Sequence, residues 1–147
     1  MDKANWIAGL MRLNTNELGF IPITTIHGRY IRKDQYVLQH DERGKRIGYM
    51  LYGALHPGRT VSIAQHCIEL DKRLNGYGLD ALEELERRCA LSQVTSIKLR
   101  CGTDMESLAF WQHNGFEIQR IEPGGLQRKR QIAVMYKPLS LPLLAIP

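Results

Sequence analysis

Between Ser62 and Cys89 the chain reads SIAQHCIELDKRLNGYGLDALEELERRC, and this stretch decides the fold. An apolar-rich segment ends near Leu70, a basic, glycine-bearing turn follows, and a helical pattern begins near Gly78. Within the turn, Arg73-Leu74-Asn75-Gly76-Tyr77-Gly78 spells R-x-x-G-x-G. Strand, glycine turn and helix N-terminus together make a cradle for an anion. The first amides of a helix have no intrahelical acceptor, and the aligned peptide dipoles add partial positive charge there. Glycine lets the main chain approach a phosphate and take dihedrals that other residues avoid. The turn is too short for a Walker loop, and it lacks the first glycine of the dinucleotide fingerprint. Taken alone, it also fits a plain glycine-rich connection between strand and helix.

A second motif narrows the choice. From Asp104 to Phe116 the chain reads DMESLAFWQHNGF. Together the two segments resemble the GNAT superfamily of acetyl-CoA-dependent N-acyltransferases. That family carries Q/R-x-x-G-x-G/A after a central strand and often N-x-x-A-x-x-x-Y-x-x-x-G-F further on. The spacing is kept here, while Asp104, Ser107 and Trp111 stand at the asparagine, alanine and tyrosine positions.

The resemblance implies an α/β (α+β) fold of the acyl-CoA N-acyltransferase type. Its mixed central sheet has helices on both faces and two parallel central strands that splay apart. It also implies transfer of acetyl from acetyl-CoA to a primary amine, by direct attack in a ternary complex. Carried onto this sequence, the pantetheine arm pairs with the strand that ends in His66-Cys67-Ile68-Glu69-Leu70, beside Ser96 to Cys101. The pyrophosphate rests on the amides of Leu74, Asn75, Gly76, Tyr77, Gly78 and Leu79, with Arg73 adding charge. Asp104, Ser107 and Trp111 fall along the same arm. Each has a plainer reading: Asp104 suits the N-cap of a helix from Met105 to Asn114, and Trp111 suits the core.

Amine acetylation needs a base, because only the neutral amine is a nucleophile, and a proton source for the leaving thiolate. Where the family often uses tyrosine as the acid this chain has Trp111, whose indole N–H is no practical acid. Tyr77, a water or unassisted departure of the thiolate would then serve. For the base the candidates are His66, on the central strand, and Glu69, at its end. Their structural readings are a histidine wedged in the sheet and a rim carboxylate paired with Lys72 or Arg73.

Around these motifs the pattern predicts the order α-α-β-β-β-α-β-α-β-β. Lys3 to Leu13 has helical spacing, and Asn14-Thr15-Asn16 ends it as turn residues do. Ile23 to Lys33 leans towards a helix. Tyr36 to His40 and Arg46 to Leu55 read as a hairpin around Asp41-Glu42-Arg43-Gly44-Lys45. Strands follow at Thr60–Leu70, Ser96–Cys101, Phe116–Ile121 and Gln131–Lys137. Helices cover Gly78–Ser92 and Asp104–Asn114. Residues 1–138 are expected to form one domain, and the apolar, proline-broken 139–147 a tail that is disordered or covers a neighbouring surface, such as a dimer partner's.

Composition agrees. The 147 residues suit one core, with 44% hydrophobic and 24% charged residues, as in an ordinary globular domain. Cys67, Cys89 and Cys101 are too few and too spread for a disulfide framework or a zinc site, so a reducing cytoplasmic setting is expected and no metal. No apolar run approaches the roughly 20 residues of a membrane span, and no secretory signal is evident. The net charge of +5 favours anionic ligands. Arg128 and Arg130, in the loop after Gly124, are the expected acceptor contacts, beside the plainer reading of a solvated charge run. They also leave open a second class, a nucleic-acid modifying or binding protein on the same scaffold. A third class is a CoA-binding module without turnover.

Overall fold

The computed structural model describes residues 2–124 and 130–140, with the side chains of residues 16 and 17 left aside. Strands β1 (Tyr36–His40) and β2 (Arg46–Tyr52) form the expected hairpin. Asp41 closes it by accepting hydrogen bonds from the amides of Arg43 and Lys45, each at 2.9 Å. Strands β3 (Thr60–Ile68), β4 (Ser96–Gly102), β5 (Glu117–Gly124) and β6 (Arg130–Pro138) complete a six-stranded sheet in the order β1-β2-β3-β4-β6-β5. Every neighbouring pair is antiparallel except β3 and β4.

That parallel pair is short. Thr60 faces Ser96, Val61 faces Ile97 and Ser62 faces Lys98, and there the pairing stops. Beyond it β3 pairs only with β2, as far as Ile68, and β4 only with β6, as far as Gly102. The sheet opens into a V whose two inner edges are unpaired. This is the splay that the resemblance implied.

Helices cover both faces. Helix α4 (Tyr77–Leu91) and helix α5 (Ser107–His113) lie on one side, where Ala81, Leu82, Leu85, Cys89 and Trp111 meet Met50, Tyr52, Val61, Ile97, Leu99 and Met135. Burying a leucine such as Leu82 or Leu85 contributes about 1.5–3 kcal/mol. On the other side, helix α1 (Lys3–Arg12) packs with Ile26 and Tyr30 over Tyr49, Leu51 and Cys67. Asp2 caps α1, its carboxylate accepting from the Asn5 amide at 2.8 Å.

A bulge in β3 decides which side chains face which helices. Leu51 pairs with Gln65 but Tyr52 pairs with Ile63, so Ala64 is the extra residue. Val61 and Ile63 point at α4 before it; His66 points there after it, while Gln65 and Cys67 turn towards α1.

Several expectations are corrected. Thr15 continues as a short helix α2 (Thr15–Leu18) rather than a turn. The second helix is α3 (Ile23–Thr25) running into a π-helix (Ile26–Ile31), and it stops short of Lys33. Strand β2 ends at Tyr52, where Gly53 pairs across to Ser62. Asp104 does not cap α5: the N-cap position is Glu106, with no side-chain bond, and Asp104 reaches Arg130 instead. Cys67 and Cys101 lie in cores on opposite faces of the sheet. The first tail residue, Leu139, is tied down by its amide to the Thr95 carbonyl at 2.9 Å. Residues 141–147 and Arg128 lie outside the described residues.

Candidate active site

At the C-terminal end of β3 the chain makes one 3-10 turn (Leu70–Lys72) and enters α4 through the glycine turn. Gly76 sits at the N-cap with φ +85°, a left-handed value that favours glycine, and nothing stands near where its Cβ would be. Leu74 holds φ +67° without being glycine and is fully exposed. The first bond back into the helix is from the Asp80 amide to the Gly76 carbonyl, at 3.2 Å. Among the described residues, no backbone acceptor takes the amides from Leu74 to Leu79 outside the helix. Six successive donors at a helix N-terminus fit a diphosphate.

The side chains around this row hold it in place. Asn75 Nδ2 donates to the carbonyls of Lys72 and Arg73, at 3.2 and 3.1 Å. Arg73 donates from Nε to the Ile68 carbonyl at 2.9 Å and from Nη2 to Asn14 Oδ1 at 3.0 Å. Its guanidinium therefore fastens the end of β3 to the end of α1, and its charge stays beside the turn. Tyr77 is fixed twice: its hydroxyl donates to Glu42 Oε2 at 2.8 Å, and its carbonyl accepts from the Gln39 side-chain Nε2. Leu70 and Leu79 are exposed at the rim.

Inside the V, Gly78 brings α4 close to β3. A Cβ there would meet Phe110 Cε1 at 3.3 Å and His66 Cε1 at 3.4 Å. His66 lies tilted against Phe110 and Trp111, with ring centroids 6.2 and 5.6 Å away. Its Nε2 is shut from solvent and, among the described residues, has no hydrogen-bond partner. Burial pushes its pKa down from 6.5 to about 4. The ring is neutral at pH 7 and holds a proton roughly 300-fold less readily than free imidazole. Trp111 is buried between Phe110 and Phe116, at 4.9 and 5.2 Å, so its surroundings are those of a core residue.

The remaining predicted residues divide around the V. Ile68 and Cys67 are buried, Cys67 on the α1 side and away from α4. Glu69 follows Ile68, its amide bonded to the Ile47 carbonyl at 2.7 Å. Lys72 pairs with Asp41 at 3.9 Å and Arg73 is bonded as above, so neither forms the expected rim pair with Glu69. Ser107 Oγ lies 3.4 Å from Cys101 Sγ at the start of α5. Asp104 and Arg130 pair at 3.2 Å beyond the end of β4.

Asn14, Gln39, Glu42 and Phe110 are the contributors that sequence reasoning missed. The signal for Phe110 was present, one residue before the Trp111 of the second motif. For the other three no local signal existed, because each acts on a segment distant in sequence. Among the described residues no cluster of His, Cys, Asp and Glu could hold a metal ion. Nor is any described helix long and apolar enough to cross a membrane.

No protein-family model matches this sequence, and no curated protein does. Solved structures do match in fold. Ard1 from Thermoplasma volcanium superposes with a TM-score of 0.79 at 14% identity, covering 93% of this chain and 91% of that one. The ribosomal-protein-S18-alanine N-acetyltransferase from Escherichia coli gives 0.73 at 14%, covering 100% and 96%. An aminoglycoside 6'-N-acetyltransferase complexed with coenzyme A gives 0.73 at 12%, covering 95% and 92%. The chain has the fold of the GNAT N-acetyltransferases.

Proposed function

We propose that this protein is an acetyl-CoA-dependent N-acetyltransferase acting on a primary amine. One observation carries the reading: a sheet that opens between β3 and β4 beside six amides, at the start of α4, that meet no backbone acceptor among the described residues. The V takes the extended arm of the carrier through unpaired strand edges, and the amides take its diphosphate. Nucleotides without an extended arm would use the amides and leave the V unfilled. Solved structures of this fold include enzymes whose names specify N-acetylation of ribosomal-protein alanine and of aminoglycosides, which supports the reaction class.

Acetyl-CoA supplies the activated acyl group. The amine nitrogen attacks the thioester carbonyl, the C–S bond breaks, and the ammonium proton leaves to a base while the thiolate takes one up. Trp111 offers no acid, and the Tyr77 hydroxyl is held by Glu42, so the thiolate leaves to water or unassisted. His66, neutral and half-buried with its Nε2 shut from solvent, packs the wall of the V. Glu69 at the rim is the better-placed candidate for proton removal, on the parity of Gln65 and Cys67 and opposite α4.

Titration of the protein with acetyl-CoA, wild type against Gly76→Asp, tests the cradle. The expected result is a dissociation constant at least tenfold weaker in the variant, since a carboxylate then faces the diphosphate. Equal affinity would remove the cradle, and with it the assignment. Thiol release from acetyl-CoA across an amine panel then separates turnover from binding alone.

A further inference from the structure

We infer that the acceptor amine carries an anionic group, and that Arg100 and Arg120 receive it; this deepens the acetyltransferase reading and rests on it. The place is the half of the sheet opposite α4. The core under α1 draws no residue from β4, β5 or β6 among the described residues, so no described helix lies over their outward face. If the carrier fills the V from the α4 side, this face is where an amine reaches the thioester.

Three cross-strand rows run over the face. In one, Lys98 and Glu117 flank Tyr136, and their charges balance. At the far end Arg130 pairs with Asp104, its guanidinium lying across Gly102 where a Cβ would be 2.6 Å from Nε. That ion pair balances too. The middle row is different. Arg100 and Arg120 both stand opposite Val134, one from each side, and Glu122, opposite Ile132 in the next row, is the carboxylate that pairs with both. Arg100 Nη1 donates to Glu122 Oε1, and Arg120 Nε donates to Oε2 at 3.1 Å. Two guanidiniums share one carboxylate, and among the described residues this is where the face has surplus positive charge.

The row is built, since Val134 is fully buried yet belongs to neither core. The arginine stems flank it. The guanidiniums stay accessible, with side-chain exposures of 55% and 54%. Glu122 accepts one N–H from each, which leaves donors of both planar forks for a second anion. The site also sits at the mouth. Arg100 is two residues past Lys98, the last β4 residue paired to β3, so it stands about 7 Å along the open edge. An amine at the fork and an anion on Arg100 and Arg120 are therefore a short linker apart. Carboxylate and phosphate share this chemistry.

The test uses matched amines on the full chain: 4-aminobutyrate against 4-aminobutanamide, and phosphoethanolamine against ethanolamine. Thiol release is read as kcat/KM, and the CoA-loaded protein is titrated at equilibrium with the same pairs. The expected result is at least a tenfold preference for the anionic member of one pair, which also says whether carboxylate or phosphate is taken. Arg100→Gln and Arg120→Gln should each raise KM for that acceptor tenfold, with the dissociation constant of acetyl-CoA moved less than twofold. Arg120→Lys, which keeps the charge without the fork and the packing largely intact, should lose most of the preference. An equal or reversed preference in both measurements, or one that survives all three variants, overturns the inference while leaving the acetyltransferase reading standing. Failure of acetyl-CoA to bind at all sinks that reading first and the inference with it.

Discussion

Arg73 and Asn14 are bonded across 59 residues, guanidinium to side-chain carbonyl at 3.0 Å, which ties the anion turn to the end of α1. Asn14 is held in turn by its own donation to the Leu10 carbonyl at 2.9 Å. The arginine thus has a structural task distinct from its charge. Asn14→Ala removes the acceptor and keeps the charge, and should cost about 1–2 kcal/mol in urea unfolding with little change in acetyl-CoA affinity. Arg73→Ala removes both and should lose stability and affinity together. If Asn14→Ala weakens acetyl-CoA as much as Arg73→Ala does, the arginine's charge contributes nothing to binding.

The two glycines of the turn should respond differently. Gly76→Ala forces a Cβ onto φ +85° with open space around it, a conformational cost of about 1–2 kcal/mol. Gly78→Val adds bulk against Phe110 and His66, 3.3 and 3.4 Å from the first added carbon, so α4 must move off the V. Urea unfolding with acetyl-CoA titration separates them. Both lose stability, but Gly78→Val should lose the larger share of affinity because it displaces the amides themselves. A Gly78→Val protein that binds acetyl-CoA normally would show that α4 need not sit this close.

Most of the fold was legible because its signals are local. The alternation in Tyr36–His40, the Asp41 turn and the apolar spacing of Leu82, Leu85 and Cys89 each settle an element within a few residues. The splay was legible only by resemblance, since nothing in Ile63 or Leu99 says that a parallel pair stops after three rungs. The bulge at Ala64 reverses side-chain parity, and a period-two reading has no means of seeing it. Asp104 was misplaced for a related reason: a cap is a local preference, and Arg130, 26 residues on, competes for the same carboxylate. The row of Arg100, Val134 and Arg120 joins three strands and exists only in the folded sheet.

Tyr77 offers a direct test of how the thiolate leaves. Its hydroxyl is engaged with Glu42, which raises its pKa above the usual phenol value, and neither effect makes it a ready proton donor. Tyr77→Phe keeps the backbone amide and loses only this exposed bond. Transfer rate should change less than threefold, measured at saturating acetyl-CoA. A proton-donating role would instead show as a loss of about a hundredfold or more.

His66 makes a prediction about acid that does not depend on catalysis. In the unfolded chain its pKa is near 6.5, and in the fold burial holds it at about 4. Between these values the unfolded state binds the proton that the native state refuses, so stability is full above pH 6.5 and falls as the pH drops towards 4. From pH 7 to pH 4.5 the loss should be about 2–3 kcal/mol, followed by urea midpoints at each pH. The carboxylates do not mask it, since Glu84, held near 2 by Arg87 and Arg88, loses its contribution only below about 4.5. His66→Phe, flanked by Phe110 and Trp111, should flatten the curve in this window. The same depression places any inflection from His66 in the transfer rate near pH 4, so a profile set by this ring would be level from pH 6 upward. A wild-type rate that climbs with a midpoint near 6.5 and levels in His66→Phe would mean that the ring titrates like free imidazole, and that it is the base after all.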